Sequence, residues 1–450
     1  ARQRAAQVAR LKELAEQQER DLAAGIDPDA ARKPKRYGKK KSVSPLKMIS
    51  IGLVVLLVAG LALVHVIPLG AVNSRFEKAL AEWIHDDVTS SGLRISLLPS
   101  PHVKLDQVAL GKLLDAKAIS GKLYMDISTL FGDRFVIDTI ELSGVTVSAD
   151  ALQRAVKWAN SEARGKGIVI GKIALRTAKV EVAGMNIDEF DADLKFDKNG
   201  KLAGASVRAK GGKWTIDAAP DKPAAEGAAA GWSVDFSARG LDLPIGAPVP
   251  IGNLTAKGTL VGDTLEFPQV EAKLLEGTAN GSVRVDWKQG ITVSSEFTAE
   301  KIKVGQLTEV FTRDVALGGR LEGQFTLTAS APTIGALLDA PAVQGVFVVK
   351  EGAVGNVDLV QVMRSPGSVG GQSKFAELAG QLRVSDGQIR YEKLKLSGGV
   401  LLANGNVSVG IKDSVLSGTV NSEIRSTVAQ DRGTFNVSGK VARPALKRGG

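Results

Sequence analysis

The chain has 450 residues, a formal net charge of +10, no cysteine, 50 glycines and only 5% aromatic residues. Without cysteine, neither a disulfide framework nor thiolate chemistry is possible. The first 47 residues carry 13 Lys or Arg against 6 Asp or Glu, a net +7. The high pI therefore belongs to this tail and is no evidence that the rest of the chain binds nucleic acid.

A cytoplasmic tail is predicted at residues 1–47. A single membrane span is predicted at residues 48–72. The tail holds a short polar helix followed by a basic linker. The segment 48–72 (MISIGLVVLLVAGLALVHVIPLGAV) has no Asp, Glu, Lys or Arg over 25 residues, and about 20 mostly apolar residues are enough for a helix to cross a bilayer. Because Lys and Arg concentrate directly before the span, everything after it is expected outside the cytoplasm.

Residues 73–91 predict an amphipathic helix beside the membrane. Its apolar residues recur at helical spacing on one face; they are Phe76, Leu80, Trp83, Ile84 and Val88. Two positions remain open for this helix. It could lie at the bilayer surface, or it could close one end of the β-region that follows.

From Gly92 onward the hydrophobic period changes from 3.6 to 2, which predicts strands joined by short turns. Residues 218–252 are interpreted as a linker or loop region, and the three prolines within 241–252 argue against a central strand there. The other β-segments are an N-terminal region at 92–217 with an inserted helix at 149–164, a middle repeat at 253–317 and a C-terminal region at 318–447. Separate strands are expected at 135–142, 145–148, 168–175 and 178–182, and short helices at 305–313, 333–338 and 357–364.

Two stretches of the β-region are related to each other. Residues 257–285 and 379–409 share an Ala-Asn-Gly followed by a strand with valine at alternate positions, and each is predicted to be a three-strand meander. A sheet with one apolar and one polar face must bury the apolar face, and curling into a sandwich or trough does so. The apolar residues of these meanders are the candidate lipid-lining residues, with an ordinary packed core as the alternative: Leu265, Phe267, Val283, Val285, Leu382, Val384, Ile389, Tyr391, Leu394, Leu396, Val407 and Val409.

Several stretches resemble the AsmA family of Gram-negative bacteria. They are the basic tail with its single span, FVIDTIELSGVTVSADAL in the first β-region, and a C-terminal run that includes FAELAGQLRVSDGQIRYEKLKLSGGVLLANGNVSV. The resemblance covers about residues 46–160 and 318–447. It implies a single-pass inner-membrane anchor, a periplasmic β-trough (a β-taco) related to bridge-like lipid transfer proteins, and a role in outer-membrane lipid homeostasis.

Motifs for catalysis and metal binding are weak. The three histidines, His65, His85 and His102, are not at metal-ligand spacing. The acidic run at 188–193 alternates as a solvated strand face would, although its carboxylates could also suggest a Ca²⁺ site. We therefore expect no enzyme activity, no catalytic residue, no metal and no cofactor.

The sequence thus predicts a mainly β protein. A single N-terminal transmembrane helix is followed by an elongated antiparallel β-trough or sandwich of repeated meanders with a few short helices. The expected function is to bind or conduct phospholipid and so to support outer-membrane lipid homeostasis and envelope biogenesis. The alternative is a structural scaffold that docks other envelope proteins without carrying lipid. Expected partners are membrane phospholipid, the inner membrane and envelope proteins, but no nucleic acid.

Overall fold

The computed structural model describes residues 70–96, 100–111, 115–148, 166–182, 186–221, 231–243, 249–311, 317–337, 339–425 and 430–449, together with positions 12, 15, 16, 20, 55 and 151. The predicted tail, span and 149–164 helix lie outside the described residues, apart from those single positions and Gly70–Val72. Among the described residues, no helix is both long and apolar enough to cross a membrane. The span therefore stays a prediction.

Strands account for most of the described chain. They are β1 Val88–Ser96, β2 His102–Leu110, β3 Ala116–Met125, β4 Phe135–Ser148, β5 Ile168–Glu181, β6 Phe190–Phe196, β7 Leu202–Ala209, β8 Trp214–Pro220, β9 Trp232–Leu243, β10 Val249–Val261, β11 Thr264–Leu274, β12 Gly277–Asp286, β13 Ile291–Lys303, β14 Leu317–Ala331, β15 Ala342–Gly355, β16 Gln372–Ser385, β17 Gln388–Gly398, β18 Leu401–Gly410, β19 Leu416–Arg425, β20 Gln430–Lys440 and β21 Arg443–Arg448.

Three α-helices accompany the strands in the described part of the chain: α1 Gly70–Ile84, α2 Val304–Phe311 and α3 Leu359–Arg364. Short 3₁₀ turns lie at Ile127–Phe131, Lys210–Gly212 and Ile334–Ala336. The helices predicted at 305–313 and 357–364 are confirmed as α2 and α3. The helix predicted at 333–338 is a single 3₁₀ turn.

The strands form one sheet in which each strand pairs with the next along the chain. The mainly β class is therefore confirmed. One expectation is wrong, because the sheet is not wholly antiparallel: β4 and β5 run parallel, with Phe135 opposite Ile168. A parallel pair needs a crossover of a dozen or more residues, and the segment between these two strands supplies it. The sequence could not predict this parallel pair, because the alternation of side chains is the same in parallel and antiparallel strands.

Two pairs of expected strands are each one long strand. The expected breaks fall at Gly144 and Thr177, which have positive φ (64° and 53°). In the register of the β4–β5 pair these two residues lie side by side, and Gln107 of β2, with φ 44°, lies on the same line. The pairs β2–β3, β3–β4 and β4–β5 keep their register across this line. The positive φ values therefore interrupt the regular strand conformation without ending the strands.

The predicted linker at 218–252 is also corrected. It contains β9 and the first residues of β10, and both strands pair on two sides. The proline of β10 fits because it lies at the strand end. Pro250 is opposite Asp242 of β9, while pairing with β11 starts only at Ile251. Proline is tolerated where one neighbouring strand is absent.

The first hydrophobic core lies between α1 and strands β1 to β6. Phe76 and Trp83 of α1 are almost fully buried. The Phe76 ring meets the edge of Phe135 with ring centres 5.9 Å apart, and Trp83 meets Phe196 at 5.0 Å. The helix predicted at 73–91 is shorter than expected, because α1 ends at Ile84 and Val88 is the first residue of β1. Of the two positions open to this helix, the structure has its apolar face against the sheet.

Helix α1 also covers part of the free edge of β1. The backbone N–H of Ser90 donates to Oε1 of Glu77 at 2.6 Å, and the Ser90 hydroxyl donates to Oδ1 of Asn73 at 2.8 Å. Unpaired N–H groups on an edge strand are templates for pairing with other chains. The Glu77 carboxylate of α1 satisfies one of these N–H groups, that of Ser90.

The second core lies at the C-terminal side of the sheet and is closed by α3. Leu359, Val362 and Met363 of this helix are buried together with Phe375, Phe435 and other side chains of β13 to β21. The helix packs against β16, β19 and β20. Asp358 caps it by accepting the N–H of Gln361 at 3.0 Å. Among the described residues, neither core contains a fully buried side chain from β7 to β12.

Candidate functional site: an apolar face of the sheet

A single row of directly paired residues crosses the 21 strands of the described chain and contains only apolar residues, glycine and one tyrosine. Directly paired residues project from the same face of a sheet. We call this set the central row; in strand order it is Leu93, Leu105, Gly121, Leu142, Leu175, Ala192, Val207, Ile216, Phe236, Ala256, Val270, Gly281, Phe297, Phe325, Gly345, Leu382, Tyr391, Val407, Gly418, Val437 and Leu446.

A second row runs beside the central row on the same face. It is also apolar except for Ser295, and it passes the β10–β11 bulge at Gly258. Its members, from β1 to β19, are Ile95, Val103, Leu123, Ile140, Ile173, Leu194, Ala205, Ala218, Val234, Gly258, Phe267, Val283, Ser295, Leu327, Val343, Val384, Ile389, Val409 and Leu416.

The candidate lining residues all lie on this face. Leu382, Tyr391 and Val407 belong to the central row, and Phe267, Val283, Val384, Ile389 and Val409 belong to the second row. Leu265 and Val285 form a pair just beyond the second row, and Leu394 and Leu396 lie on the other side of the central row. Whether these residues contact lipid stays a prediction.

Sequence reasoning missed the parts of the rows that cross β1 to β10, β13 to β15 and β19 to β21. The candidates come from the two repeated meanders only, although the alternation continues through the neighbouring strands. Following the alternation of Leu142, Leu175 and Val207 into the neighbouring strands would have extended the rows. That step requires the pairing register, which bulges such as the one at Thr177 shift.

Burial of the central row changes along the sheet. Leu93 and Leu105 are buried in the first core, while most of the row from Val207 to Gly418 is only half-buried. Of the candidate lining residues, only Leu396 is fully buried, at 7% exposure. A contiguous, partly accessible apolar face of this kind marks a surface that binds something apolar.

Glycines and aromatic rings complement one another on this face. The ring of Phe325 lies over Gly345, where a Cβ atom would come within 2.3 Å of the ring, and over Gly323, where it would come within 2.8 Å. Phe297 stacks on Phe325 with ring centres 5.3 Å apart. Rings that cover neighbouring glycines protect the backbone. One aromatic ring thus covers more than one glycine, which is compatible with a sheet that is rich in glycine and poor in aromatic residues.

Tyr391 is the one side chain of the central row with a polar atom. Its ring meets the edge of Phe347 at 6.2 Å. Desolvation raises the pKa of the Tyr391 hydroxyl above its usual value. The row therefore carries no ionised group at neutral pH.

The opposite face of the sheet is polar. Between β11 and β17 it forms a groove of about 990 Å³, lined in part by Asn280, Gln324, Gln344 and Arg383. Cross-strand ion pairs lie on this face, including Arg284 with Glu266 at 3.2 Å and Lys350 with Glu322 at 2.7 Å. Such pairs stabilise adjacent strands modestly while keeping this face hydrated.

Glu423 has the largest resolved pKa shift on the polar face. It accepts hydrogen bonds from Arg425 at 2.7 Å and Arg432 at 3.3 Å, and also from Gln430. The hydrogen bond with Arg425 is the main cause, and it holds the pKa of Glu423 at about 2. The carboxylate is ionised throughout the physiological range.

Three acidic residues of the 188–193 run pair with cations of the protein, and the fourth, Asp191, accepts the backbone N–H of Thr177 at 2.9 Å. Asp193 contacts Lys172 at 3.1 Å and Arg176 at 2.9 Å. Partial burial raises its pKa, but the hydrogen bonds to these two cations outweigh burial and lower it. Glu189 pairs with Lys210 at 3.1 Å. Within the ranges that the structure describes, no three His, Asp or Glu side chains converge as metal ligands do.

The fold and the site define a class of protein: a single, sequentially paired sheet with one apolar face and one polar face. No protein-family model, no curated protein and no solved structure matches this chain. Its function is therefore inferred from the sheet itself.

Proposed function

We propose that this protein binds phospholipid on the apolar face of its sheet and conducts it along that face. The observation that carries the proposal is the central row, which crosses 21 strands without a charged residue. Acyl chains lie along the half-buried parts of the central and second rows, while the headgroups remain in water. From Val207 of β7 to Gly418 of β19, where most of the central row is half-buried, twelve steps from strand to strand at ~4.8 Å each make a path of about 58 Å.

The movement of lipid along this path is passive. Each buried CH₂ group contributes about 0.8 kcal/mol, so an acyl chain binds wherever the face is apolar. Because neighbouring positions of the row are chemically alike, one position binds an acyl chain about as well as the next. A uniform lining thus combines binding with sliding. The polar face, with its cross-strand ion pairs, keeps the opposite side of the sheet hydrated.

We further propose that the chain is a member of the AsmA family, anchored in the inner membrane by residues 48–72 with the sheet in the periplasm. The basic run before the span and the uncharged length of the span support this topology. The family resemblance supports a role in supplying lipid to the outer membrane.

The alternative function is a scaffold that docks envelope proteins without carrying lipid. The two packed cores favour it, because α1 and α3 already cover the apolar face at β1 to β6 and near β19 and β20. The half-buried stretch between these cores is the region that distinguishes the two functions.

Photocrosslinking tests the proposal. A photoreactive amino acid is introduced at Ile389, on the second row, and at Arg390, the next residue and therefore on the polar face. The lipid conduit predicts phospholipid adducts at position 389 and few at 390. Absence of adducts at 389, together with no co-purified phospholipid in native mass spectrometry, would refute the conduit and favour the scaffold. Leu396, which is buried, is expected to give fewer adducts than Ile389.

A further inference from the structure

The turn between β3 and β4 exposes an aromatic side chain. In the 3₁₀ turn Ile127–Phe131, Leu130 is buried at 1% exposure and anchors the turn in the first core, while the next residue, Phe131, is 69% exposed. A single exposed apolar side chain is ordinary on a protein surface, so Phe131 becomes informative only through the charged residues beside it.

The turn is held rigidly and is attached to α1. The carboxylate of Asp126 accepts the N–H of Ser128 at 3.0 Å, and the N–H of Gly132 donates to the carbonyl of Thr129 at 3.2 Å. Nη2 of Arg75, in α1, donates to the carbonyl of Gly132 at 2.6 Å. Phe131 is therefore presented in a fixed position next to the first turns of α1.

Three exposed cations lie on the segments next to this turn. Lys78 is one helical turn beyond Arg75 on α1, Arg134 lies in the turn, and Lys166 precedes Gly167, where a Cβ atom would lie 3.4 Å from Ala79 of α1. Gly167 is also close to the turn, because the N–H of Phe135 donates to the carbonyl of Gly167 at 2.9 Å.

Over the same segments the acidic residues are three (Glu77, Asp126 and Asp133) and the cations are four with Arg75 included, so the patch is net basic. Glu77 is moreover engaged with the N–H of Ser90.

We propose that this patch, formed by the turn between β3 and β4 with Lys78 and Lys166 beside it, docks on the anionic surface of the membrane. This is the same membrane in which the chain is proposed to be anchored. The inference rests on the proposed membrane anchor. Helix α1 begins at Gly70, inside the predicted span 48–72, and Arg75 lies three residues beyond the end of the span, about 4.5 Å along the helix axis. The turn bound to Arg75 is thereby held near the bilayer. Phe131 enters the interface and the cations contact anionic headgroups.

The absence of cysteine from the chain makes a site-specific test direct. Phe131→Cys is labelled with an environment-sensitive fluorophore in the full chain, which is reconstituted into phosphatidylethanolamine–phosphatidylglycerol vesicles. Ile119→Cys is the matched control: Ile119 is 74% exposed but lies about 20 Å away along β3. The label at 131 is expected to shift to shorter wavelength and to be quenched by nitroxide-labelled lipid. The label at 119 is expected to emit as it does in water.

A charge variant tests the basic component. Arg134→Glu in the Phe131→Cys chain is expected to reduce the spectral shift in anionic vesicles. A water-like label at 131 in a chain that remains in the vesicles after alkaline carbonate would overturn the docking inference alone. Release of the whole chain by carbonate would overturn the anchor, and the inference with it. The conduit itself is tested separately by crosslinking at Ile389.

Discussion

Placing a charge in the central row is expected to block lipid while leaving the fold intact. Val407 lies in that row between Tyr391 and Gly418 and is half-buried. Val407→Asp puts a carboxylate where acyl chains are proposed to pass. The neighbouring residue, Ser408, lies on the polar face opposite Arg390 and Ser417. Ser408→Asp is therefore a control of the same charge on the same strand.

The magnitudes of the two effects differ. A fully buried valine contributes about 1.5–3 kcal/mol, so a half-buried one is expected to contribute about 1 kcal/mol to the free energy of unfolding. Water reaches the introduced carboxylate when no lipid is bound, but an acyl chain lying on it would remove that water. Desolvating a carboxylate costs several kcal/mol. A desolvation cost of only about 3 kcal/mol would slow the passage of lipid roughly a hundredfold.

Two measurements test this prediction. Native mass spectrometry reports the phospholipid bound to each purified full-length variant, and urea unfolding reports the free energy of unfolding. Val407→Asp is expected to lose most of its bound phospholipid, while Ser408→Asp binds as much as the unchanged chain. Full phospholipid occupancy in Val407→Asp would refute the conduit. Equal loss in both variants would show that strand disruption, and not the charge in the row, is responsible.

Three further outcomes are expected. Trp83→Ala should lower the free energy of unfolding by about 3–5 kcal/mol in chemical denaturation, because the side chain is buried between α1 and the sheet, and Trp83→Phe should lower it by less. Gly345→Ala should destabilise by about 1–3 kcal/mol because its Cβ would collide with an aromatic ring, whereas Gly204→Ala, whose Cβ would meet nothing nearer than 3.7 Å, should leave the melting temperature unchanged or slightly raised. The pKa of Glu423 is lowered by its hydrogen bond with Arg425 from 4.5 to about 2, so its stabilising effect should be complete above pH 4.5 and fade as the pH falls toward 2. An NMR titration of that carboxyl with a midpoint near 4.5 would contradict the last expectation.

Strand positions could be predicted from the sequence wherever alternation and turn chemistry agreed. The turn between β6 and β7 is an example, because Asn199-Gly200 is a dipeptide typical of hairpin turns. In the structure Gly200 has a φ of 76°, and the Asp197 carboxylate accepts the N–H of Asn199 at 2.8 Å. Strand continuity was harder to predict, because a residue with positive φ looks the same in sequence whether it ends a strand or bends it. Gly144 and Thr177 lie inside their strands, since β4 and β5 keep the same register to each other on both sides of them, although the pairing of β5 with β6 shifts at Thr177.

The candidate site was predictable in composition but not in extent. The repeats pointed to residues such as Ile389 and Val409, which the structure places opposite each other. The full length of the central row depends on the pairing of strands that share no sequence similarity. The position of α1 was also undetermined, because an amphipathic face fits a bilayer and a protein core equally well. The burial of Phe76 and Trp83 decides in favour of the core.

Pairing every strand with its neighbour in sequence affects how the protein folds. A β-hairpin forms in about 1–10 μs, whereas a ribosome adds about 5–20 residues per second, so each strand can join the sheet long before the next is synthesised. Contacts between neighbouring strands are local, and local contacts favour fast folding. The parallel pair β4–β5 is the exception, since Ser148 and Ile168 are separated by the crossover. The chain can thus assemble progressively from its N-terminal side, with the β4–β5 crossover as the slowest closure among the described strands.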